Sequence, residues 1–121
     1  MSELIKNRKT TKMDSRYTRQ YAIKKVSELT KILKQSGIDL HSVFLFGSFA
    51  NKEITDFEWS DIDVAIISDS FSGSRFDDAK KLIPFAIKVE PRIELHPFTV
   101  YDFENSPFAK DEIEAKGIRI T

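Results

Sequence analysis

Two short stretches decide how this chain folds: VFLFGSFA at residues 43–50 and SDIDV at residues 60–64. The first begins with an unbroken apolar run, Val43 to Phe46, whose length and β-branched or aromatic content predict a strand buried on both faces. A Gly47-Ser48 pair then opens a short helical turn, in which backbone N–H groups can approach an anion closely. The first stretch therefore predicts a strand that ends in a phosphate-binding turn.

The second stretch predicts a strand that begins with two carboxylates. Because side chains alternate between the two faces of a strand, Asp61 and Asp63 point the same way, while Ile62 and Val64 point into the core. Two aligned carboxylates beside a phosphate-binding turn are typical of a site for Mg²⁺ and a nucleoside triphosphate.

This ordered pair of motifs resembles the nucleotidyltransferase superfamily that includes DNA polymerase beta. Within that superfamily, the chain most resembles the minimal single-domain nucleotidyltransferases of bacteria and archaea, the type found paired with HEPN proteins. Residues 46–50 and 60–64 match nearly residue for residue, and the tail at 108–118 resembles the closing helix, glycine and strand of the family. The resemblance runs from about Val26 to the C-terminus.

The resemblance implies Mg²⁺-dependent transfer of a nucleoside monophosphate, AMP from ATP or another NTP, to a hydroxyl acceptor, for which a partner protein is one source. Asp61 and Asp63 would hold two Mg²⁺ ions about 4 Å apart, with Mn²⁺ as an alternative. Glu94 would complete the shell of the second metal and accept the proton of the acceptor. Gly47 and Ser48 would hold the β- or γ-phosphate of the nucleotide.

Other classes of protein also use paired carboxylates. Glycosyltransferases bind Mn²⁺ through an Asp-x-Asp pair, but they are usually much longer chains, and they leave Gly47-Ser48 without a role. A calcium loop is disfavoured because the stretch that begins at Asp61 is too apolar and lacks the mid-loop glycine. The serious alternative is a non-catalytic interaction module, an antitoxin that neutralises a HEPN-type toxin mainly by binding. The expected partners are therefore a second copy of this chain or a small helical HEPN-type protein.

Length and composition predict one globular domain with a small mixed β-sheet and helices mainly on one face, an α/β architecture of the α+β kind. The chain has 121 residues, is 40% hydrophobic and 31% charged, and contains no cysteine, which excludes disulfides and thiolate metal sites. No apolar run is long enough for a membrane span, and no signal-peptide pattern is present. We expect a cytoplasmic protein.

The net charge of zero hides an asymmetry between the N-terminus and the rest of the chain. Residues 1–25 contain eight Lys or Arg and two acidic residues, so 8 − 2 = +6, and the remainder carries −6. A basic arm is a candidate for binding nucleic acid. We favour a flexible, solvated arm at residues 1–14 before a nucleotidyltransferase domain at 15–121, because no aromatic residue interleaves the first basic cluster.

Helical periodicity predicts two long helices. The first spans residues 15–35 and is capped at its start by Asp14 or Ser15. The second spans residues 77–88, and Pro84 within it predicts a kink or a division into two short helices, because proline lacks the N–H and clashes with the preceding turn.

The stretch RIELH at residues 92–96 alternates as a strand should, with Ile93 and Leu95 facing the core and the polar residues facing the other way. The prolines on either side of it predict the ends of that strand. His96 shares a face with Glu94, and a single histidine at a strand end favours a structural role. The chain then finishes with a short helix at 101–104, a helix from 107 and an edge strand at 118–120.

The loop at residues 51–60 departs from the family pattern. Asn51 and Lys52 stand where Arg and Gly are common, and the loop is a residue or two longer than usual. Phe57 and Trp59 are apolar in an otherwise polar segment. We expect both to pack the loop against the core, since single surface apolar residues are common; contact with a nucleotide base or a partner protein is the alternative.

Overall fold

A computed structural model describes residues 17–121 of the chain. The predicted arm at residues 1–14 lies outside the described residues. The helices are α1 (Arg19–Gln35), a 3₁₀ turn (Gly47–Ala50), α2 (Arg75–Val89), α3 (Val100–Glu104) and a π-helical segment (Ala109–Glu114). The strands are β1 (Ser42–Phe46), β2 (Ile62–Ile67), β3 (Ile93–Phe98) and β4 (Ile118–Arg119). Within the described part of the chain, no helix is long and apolar enough to cross a membrane.

The four strands form one mixed sheet in the order β3-β2-β1-β4. Strand β1 runs antiparallel to β2 and β4, whereas β2 and β3 run parallel. A parallel pair needs a crossover connection, and α2 supplies it between β2 and β3. The predicted class, a small mixed sheet with helices, is confirmed.

One face of the sheet packs against the two long helices. Strand β2 directs Ile62, Val64 and Ile66 to this face, and all three are fully buried. Helix α1 covers them with an apolar stripe at helical spacing, and α2 adds two buried residues: Ala22, Val26, Leu29, Leu33, Leu82 and Ala86. This face, called the core face below, contains most of the buried apolar side chains.

The opposite face carries a smaller apolar cluster and, at one end, polar side chains. Strands β1 and β2 direct Phe44, Phe46, Ala65 and Ile67 to it, and they meet residues from α3 and the π-helical segment: Phe103, Ala109 and Ile113. Asp63 lies on this same face because it alternates with Val64 along β2. We call this side of the sheet the site face.

The start of α1 differs from the prediction. Thr18 is the N-cap, with its side chain accepting a hydrogen bond of 3.0 Å from the Tyr21 N–H, and the helix begins at Arg19. The predicted caps at residues 14 and 15 lie outside the described residues. The prediction that Tyr17 and Thr18 are part of the helix is wrong. Thr18 satisfies an N-terminal donor of the helix that would otherwise have no partner, so it fixes the boundary.

Of the two outcomes predicted for Pro84, a division into two short helices is wrong, because α2 is a single helix from Arg75 to Val89. The kink stays a prediction. Pro84 is exposed, so the carbonyl of Lys80 that loses its helical donor can be hydrogen-bonded by water. Strand β3 likewise continues through Pro97 to Phe98. Since β3 is an edge strand, a residue without an N–H is tolerated there.

Candidate active site

The candidate site forms where the N-terminal ends of β2 and β3 meet the C-terminal end of β1. In the β2–β3 register, Asp63 lies opposite Glu94, and in the β1–β2 register Phe46 lies opposite Asp63. Asp61 lies two residues before Asp63, and its carboxyl forms a hydrogen bond with the carboxyl of Glu94. The structure therefore brings together the three carboxylates that the sequence singled out.

The crowding of these carboxylates affects protonation. Desolvation by burial, followed by the hydrogen bond to Asp61 and the charge of Asp63, raises the pKa of Glu94 above its ordinary value, and the nearby His96 acts in the opposite direction. The Glu94 side chain is 54% exposed, so water screens these effects. Without a bound cation, the cluster favours retaining a proton on Glu94.

His96 also belongs to this group of side chains, as its predicted place on the same face as Glu94 implies, and its structural role stays a prediction. Its Nε2 lies 3.2 Å from Asp63 Oδ1 and 3.7 Å from Glu94 Oε2. One possible ligand atom from each of Asp63, Glu94 and His96 lies within 4.8 Å of the others. The signal in the sequence was the spacing of two residues between Glu94 and His96, which places both on one face of β3.

Gly47 connects the turn after β1 to the carboxylates. Its φ of 74° lies in the left-handed region that side chains rarely adopt. A Cβ at this position would overlap the carboxylate of Asp63. Glycine is therefore required both for the backbone conformation and for the close approach to Asp63. Ser48 follows it, partly exposed, in the 3₁₀ turn.

The loop after this turn is held by Arg19 from the first turn of α1. Arg19 Nε donates to the carbonyl of Phe49 at 2.8 Å, and its Nη2 donates to the carbonyls of Asn51 and Ile54 at 2.7 and 3.3 Å. The guanidinium also lies 5.5 Å from the ring centroid of Phe57. A basic residue of the N-terminal cluster thus fixes the position of the loop beside the site.

The two aromatic residues of this loop behave differently. Phe57 is buried and stacks on Phe49 with ring centroids 4.3 Å apart, so the predicted packing is confirmed for it. Trp59 is 88% exposed, and the same prediction is wrong for it. Ser60 donates its N–H to the carbonyl of Phe57, which closes a turn and leaves the intervening Trp59 on the outside.

A cleft of about 570 Å³ opens beside Gly47. On one side it is lined by the last residue of the 3₁₀ turn and the residues after it, and on the other by two residues near the end of the chain: Ala50, Asn51, Lys52, Glu53, Glu112 and Lys116. Lys116 forms an ion pair of 3.1 Å with Glu112. Two lysines therefore line the space next to Gly47, and neither could be assigned to it from the sequence, since the two positions lie far apart in the chain.

Glu90, the other acidic residue near β3 in the sequence, is not available to the site. It is buried, and its carboxylate accepts hydrogen bonds from the Tyr21 hydroxyl and, at 2.8 Å, from the Arg92 N–H. These contacts join the end of α2 to α1 and to the start of β3. Glu94 is therefore the acidic residue of this region that reaches Asp61 and Asp63.

Comparison with known proteins agrees with this arrangement. A family model described as the nucleotidyltransferase domain matches residues 26–120. The chain belongs to the nucleotidyltransferase domain family. Domains of this family generally use a nucleoside triphosphate and a divalent metal ion. Comparisons of this nucleotidyltransferase domain with curated proteins and with solved structures gave no match.

The donor atoms of the site fit the divalent ion that the family uses. Asp61, Asp63 and Glu94 offer carboxylate oxygens, which suit Mg²⁺ and Mn²⁺. A cation would also oppose the desolvation and the charge of Asp63, which both raise the pKa of Glu94. The nucleotidyltransferase domain therefore contains a cluster that could bind a metal at the end of its sheet.

Proposed function

We propose that this nucleotidyltransferase domain transfers AMP from ATP to a hydroxyl acceptor, and that it uses two Mg²⁺ ions, for which Mn²⁺ can substitute. The observation that carries the proposal is the convergence of Asp61, Asp63 and Glu94 next to the left-handed turn at Gly47. A carboxylate cluster alone is common on protein surfaces. Here the cluster contacts a turn whose left-handed glycine leaves room for the Asp63 carboxylate, in a chain of the nucleotidyltransferase domain family.

The reaction forms a bond between the acceptor oxygen and the α-phosphorus and breaks the bond from that phosphorus to the oxygen bridging to the β-phosphate. Pyrophosphate leaves, and Glu94, which lies beside Asp61 and Asp63, accepts the proton of the hydroxyl. Bound Mg²⁺ would neutralise charge on the leaving pyrophosphate and lower the pKa of the attacking hydroxyl. Asp61 and Asp63 would hold the ions through their carboxylates and so orient the reacting groups. This positioning accounts for much of the rate acceleration.

The triphosphate is proposed to lie in the cleft beside Gly47. The cleft volume of about 570 Å³ is in the usual range for small-molecule sites. Gly47 and Ser48 would contact the β- or γ-phosphate. Lys52 and Lys116 line the same space and would donate to phosphate oxygens, with Lys116 exchanging its ion pair with Glu112 for one with the phosphate. The phosphates would then lie next to the carboxylate cluster, since a Cβ on Gly47 would already overlap Asp63.

The experiment uses ATP labelled at the α-phosphate or at the γ-phosphate. The purified chain is incubated with Mg²⁺ and with the proteins that co-purify with it, and label on each protein is measured together with pyrophosphate release. We expect transfer of the α-label, equal release of pyrophosphate, and loss of both with Asp63→Asn. Transfer of the γ-label would indicate a kinase, and the absence of any transfer would contradict the proposal for these acceptors.

A second candidate function, an antitoxin that neutralises a HEPN-type toxin mainly by binding, is favoured by the outward side of α2. Phe76, Ile83 and Ile87 recur there at helical spacing and are 75%, 43% and 56% exposed. They project from a different side of the helix than the buried Leu82 and Ala86. An exposed apolar stripe of this kind is typical of a surface that contacts another protein.

The two functions are separated by matched variants co-expressed with a HEPN-type helical toxin. If binding suffices, Asp63→Asn should still neutralise that protein, and Phe76→Glu with Ile87→Glu should not. If transfer is required, Asp63→Asn should fail even though the complex forms in sedimentation. Lys88→Gln, an exposed change on the same helix, is the control and should behave as the wild type.

A further inference from the structure

His96 lies between the carboxylate cluster and the body of the protein. Its ring packs edge-on against Phe46 with centroids 4.9 Å apart, and the side chain is only 17% exposed. Its Nε2 is 3.2 Å from Asp63 Oδ1 and is farther, 3.7 Å, from Glu94 Oε2. The imidazole is thus held with one nitrogen directed at the proposed metal ligands.

Two roles are open to an imidazole in this position. If Nε2 has a free lone pair, His96 can join Asp63 and Glu94 as a metal ligand, and a nitrogen donor shifts preference towards Zn²⁺ and similar ions. If Nε2 carries the proton, His96 donates a hydrogen bond to Asp63 and stays outside the metal ligands. The partner of the other ring nitrogen decides between these roles.

That partner is Arg75, the first residue of α2. Its Nη2 lies 3.4 Å from His96 Nδ1, and its guanidinium lies 5.9 Å from the ring centroid of Phe98. A guanidinium is always charged and only donates, so this contact is a hydrogen bond only when Nδ1 accepts. In a neutral imidazole whose Nδ1 accepts, the proton is on Nε2, the nitrogen that faces Asp63.

We propose that His96 is a positioning residue that holds Asp63 through an Nε2–H donor, and that Arg75 fixes this tautomer and so excludes the imidazole from the metal ligands. The site then offers oxygen ligands alone and discriminates against Zn²⁺ in favour of Mg²⁺ or Mn²⁺. This inference rests on the proposed metal-dependent transfer. It assigns roles to two residues outside the three carboxylates.

The first test is the tautomer itself. Long-range ¹H–¹⁵N NMR spectra of the metal-free wild type, at about pH 8 where an ordinary histidine is neutral, identify the protonated ring nitrogen. The chain has two histidines, so His41→Gln assigns the signals of His96. We expect the proton on Nε2 in the wild type and a shift towards Nδ1 in Arg75→Met, which keeps an unbranched side chain without the donors. A wild-type proton on Nδ1 would overturn the proposal.

The second test is metal selectivity, measured by calorimetric titration of Zn²⁺ and Mn²⁺ into nucleotide-free protein. Arg75→Met should bind Zn²⁺ at least about tenfold more tightly than the wild type, the scale on which groups around the ligands tune metal affinity. Its Mn²⁺ affinity should change much less. Arg75→Gln, which retains an N–H donor, should resemble the wild type. Equal Zn²⁺ affinity in the wild type and Arg75→Met would overturn the exclusion.

The last comparison concerns the donor on His96. His96→Gln can still donate an N–H to Asp63, whereas His96→Leu cannot, so Mn²⁺ affinity should fall more in His96→Leu. Equal losses in the two variants would contradict the positioning role. None of these measurements needs nucleotidyl transfer. A wild-type proton on Nδ1 together with transfer of the α-label would refute only the role of His96 and Arg75. A proton on Nε2 without any transfer of label would refute only the proposed reaction.

Discussion

The two faces of the sheet differ in what covers them, although the same strands supply both. On β2, Val64 is fully buried under the long helices, while Asp63, one residue earlier, has 24% of its side chain exposed on the site face. On β3, Leu95 contacts the core and Glu94 reaches the carboxylate cluster. The alternation of a strand thus separates the residues that stabilise the fold from those proposed to carry out the chemistry.

Because of this separation, the changes with the largest expected effect should lower activity without lowering stability. Asp61→Asn and Asp63→Asn should each reduce transfer by about 10³-fold or more, the scale seen when a group that acts on the transition state is removed. Stability in metal-free buffer should be unchanged or higher, because each change relieves repulsion within the cluster. Melting temperatures with and without Mg²⁺ should show that the wild type gains more from the ion than either variant.

The matched change on the core face is Ile66→Ala. It should cost about 2–5 kcal/mol of stability, because it leaves a cavity in a fully buried position. Its Mg²⁺-dependent gain in melting temperature should match that of the wild type. Equal Mg²⁺-dependent gains in the wild type, Asp61→Asn and Asp63→Asn would refute the metal site and the functional difference between the faces.

The next effect concerns the third carboxylate. Glu94→Gln should lose roughly 10²-fold in turnover, the low end of the range for proton transfer by a positioned side chain. It should retain much of its Mg²⁺–nucleotide binding, which depends chiefly on Asp61 and Asp63. Single-turnover kinetics and nucleotide titration measure the two separately. Wild-type turnover would contradict the role of Glu94, and Glu90 could not replace it because Tyr21 and the Arg92 N–H already engage its carboxylate.

A smaller effect is expected at Gly47, in the turn that follows β1 and contacts Asp63. Gly47→Ala should cost about 1–2 kcal/mol for its left-handed backbone, and transfer should also fall because the new methyl group displaces the Asp63 carboxylate. Gly37→Ala is the control. It has a similar φ of 90°, and among the described residues no atom lies within 4 Å of the added Cβ. Chemical unfolding should show similar losses of stability in the two variants, and transfer should fall only in Gly47→Ala. Equal transfer in the two variants would argue against the contact with Asp63.

The smallest effect is the pH dependence of stability in metal-free buffer. Since the pKa of Glu94 is raised in the folded state, the folded chain retains a proton that the unfolded chain has released. This contribution to stability is complete below the ordinary pKa of glutamate and is lost as pH rises through the raised value. Urea unfolding in the presence of a chelator should therefore show the free energy of unfolding falling over that window. Glu94→Gln should lack this fall, and a rise in the wild type would contradict the assigned direction.

Much of the site could be predicted from residues close together in the sequence. The apolar run before Gly47, and the alternation of Asp61 and Asp63 with apolar residues, follow from the period of a strand. The same period put Glu94 on the opposite side of β3 from Ile93 and Leu95. These inferences held because each depends on the local backbone geometry and on burial of one face. The roles of these residues in transfer stay predictions for the experiments above.

Other features depend on contacts between distant segments, which no local pattern encodes. The sequence alone determined the strand, the glycine turn and the order of the carboxylates, because backbone sterics and side-chain alternation act within a few residues. Only the tertiary structure decided that Arg75 reaches His96, that Arg19 holds the loop, and that Lys116 lines the cleft beside Gly47. These arrangements join residues that are up to 69 positions apart, so helix packing and sheet order bring them together.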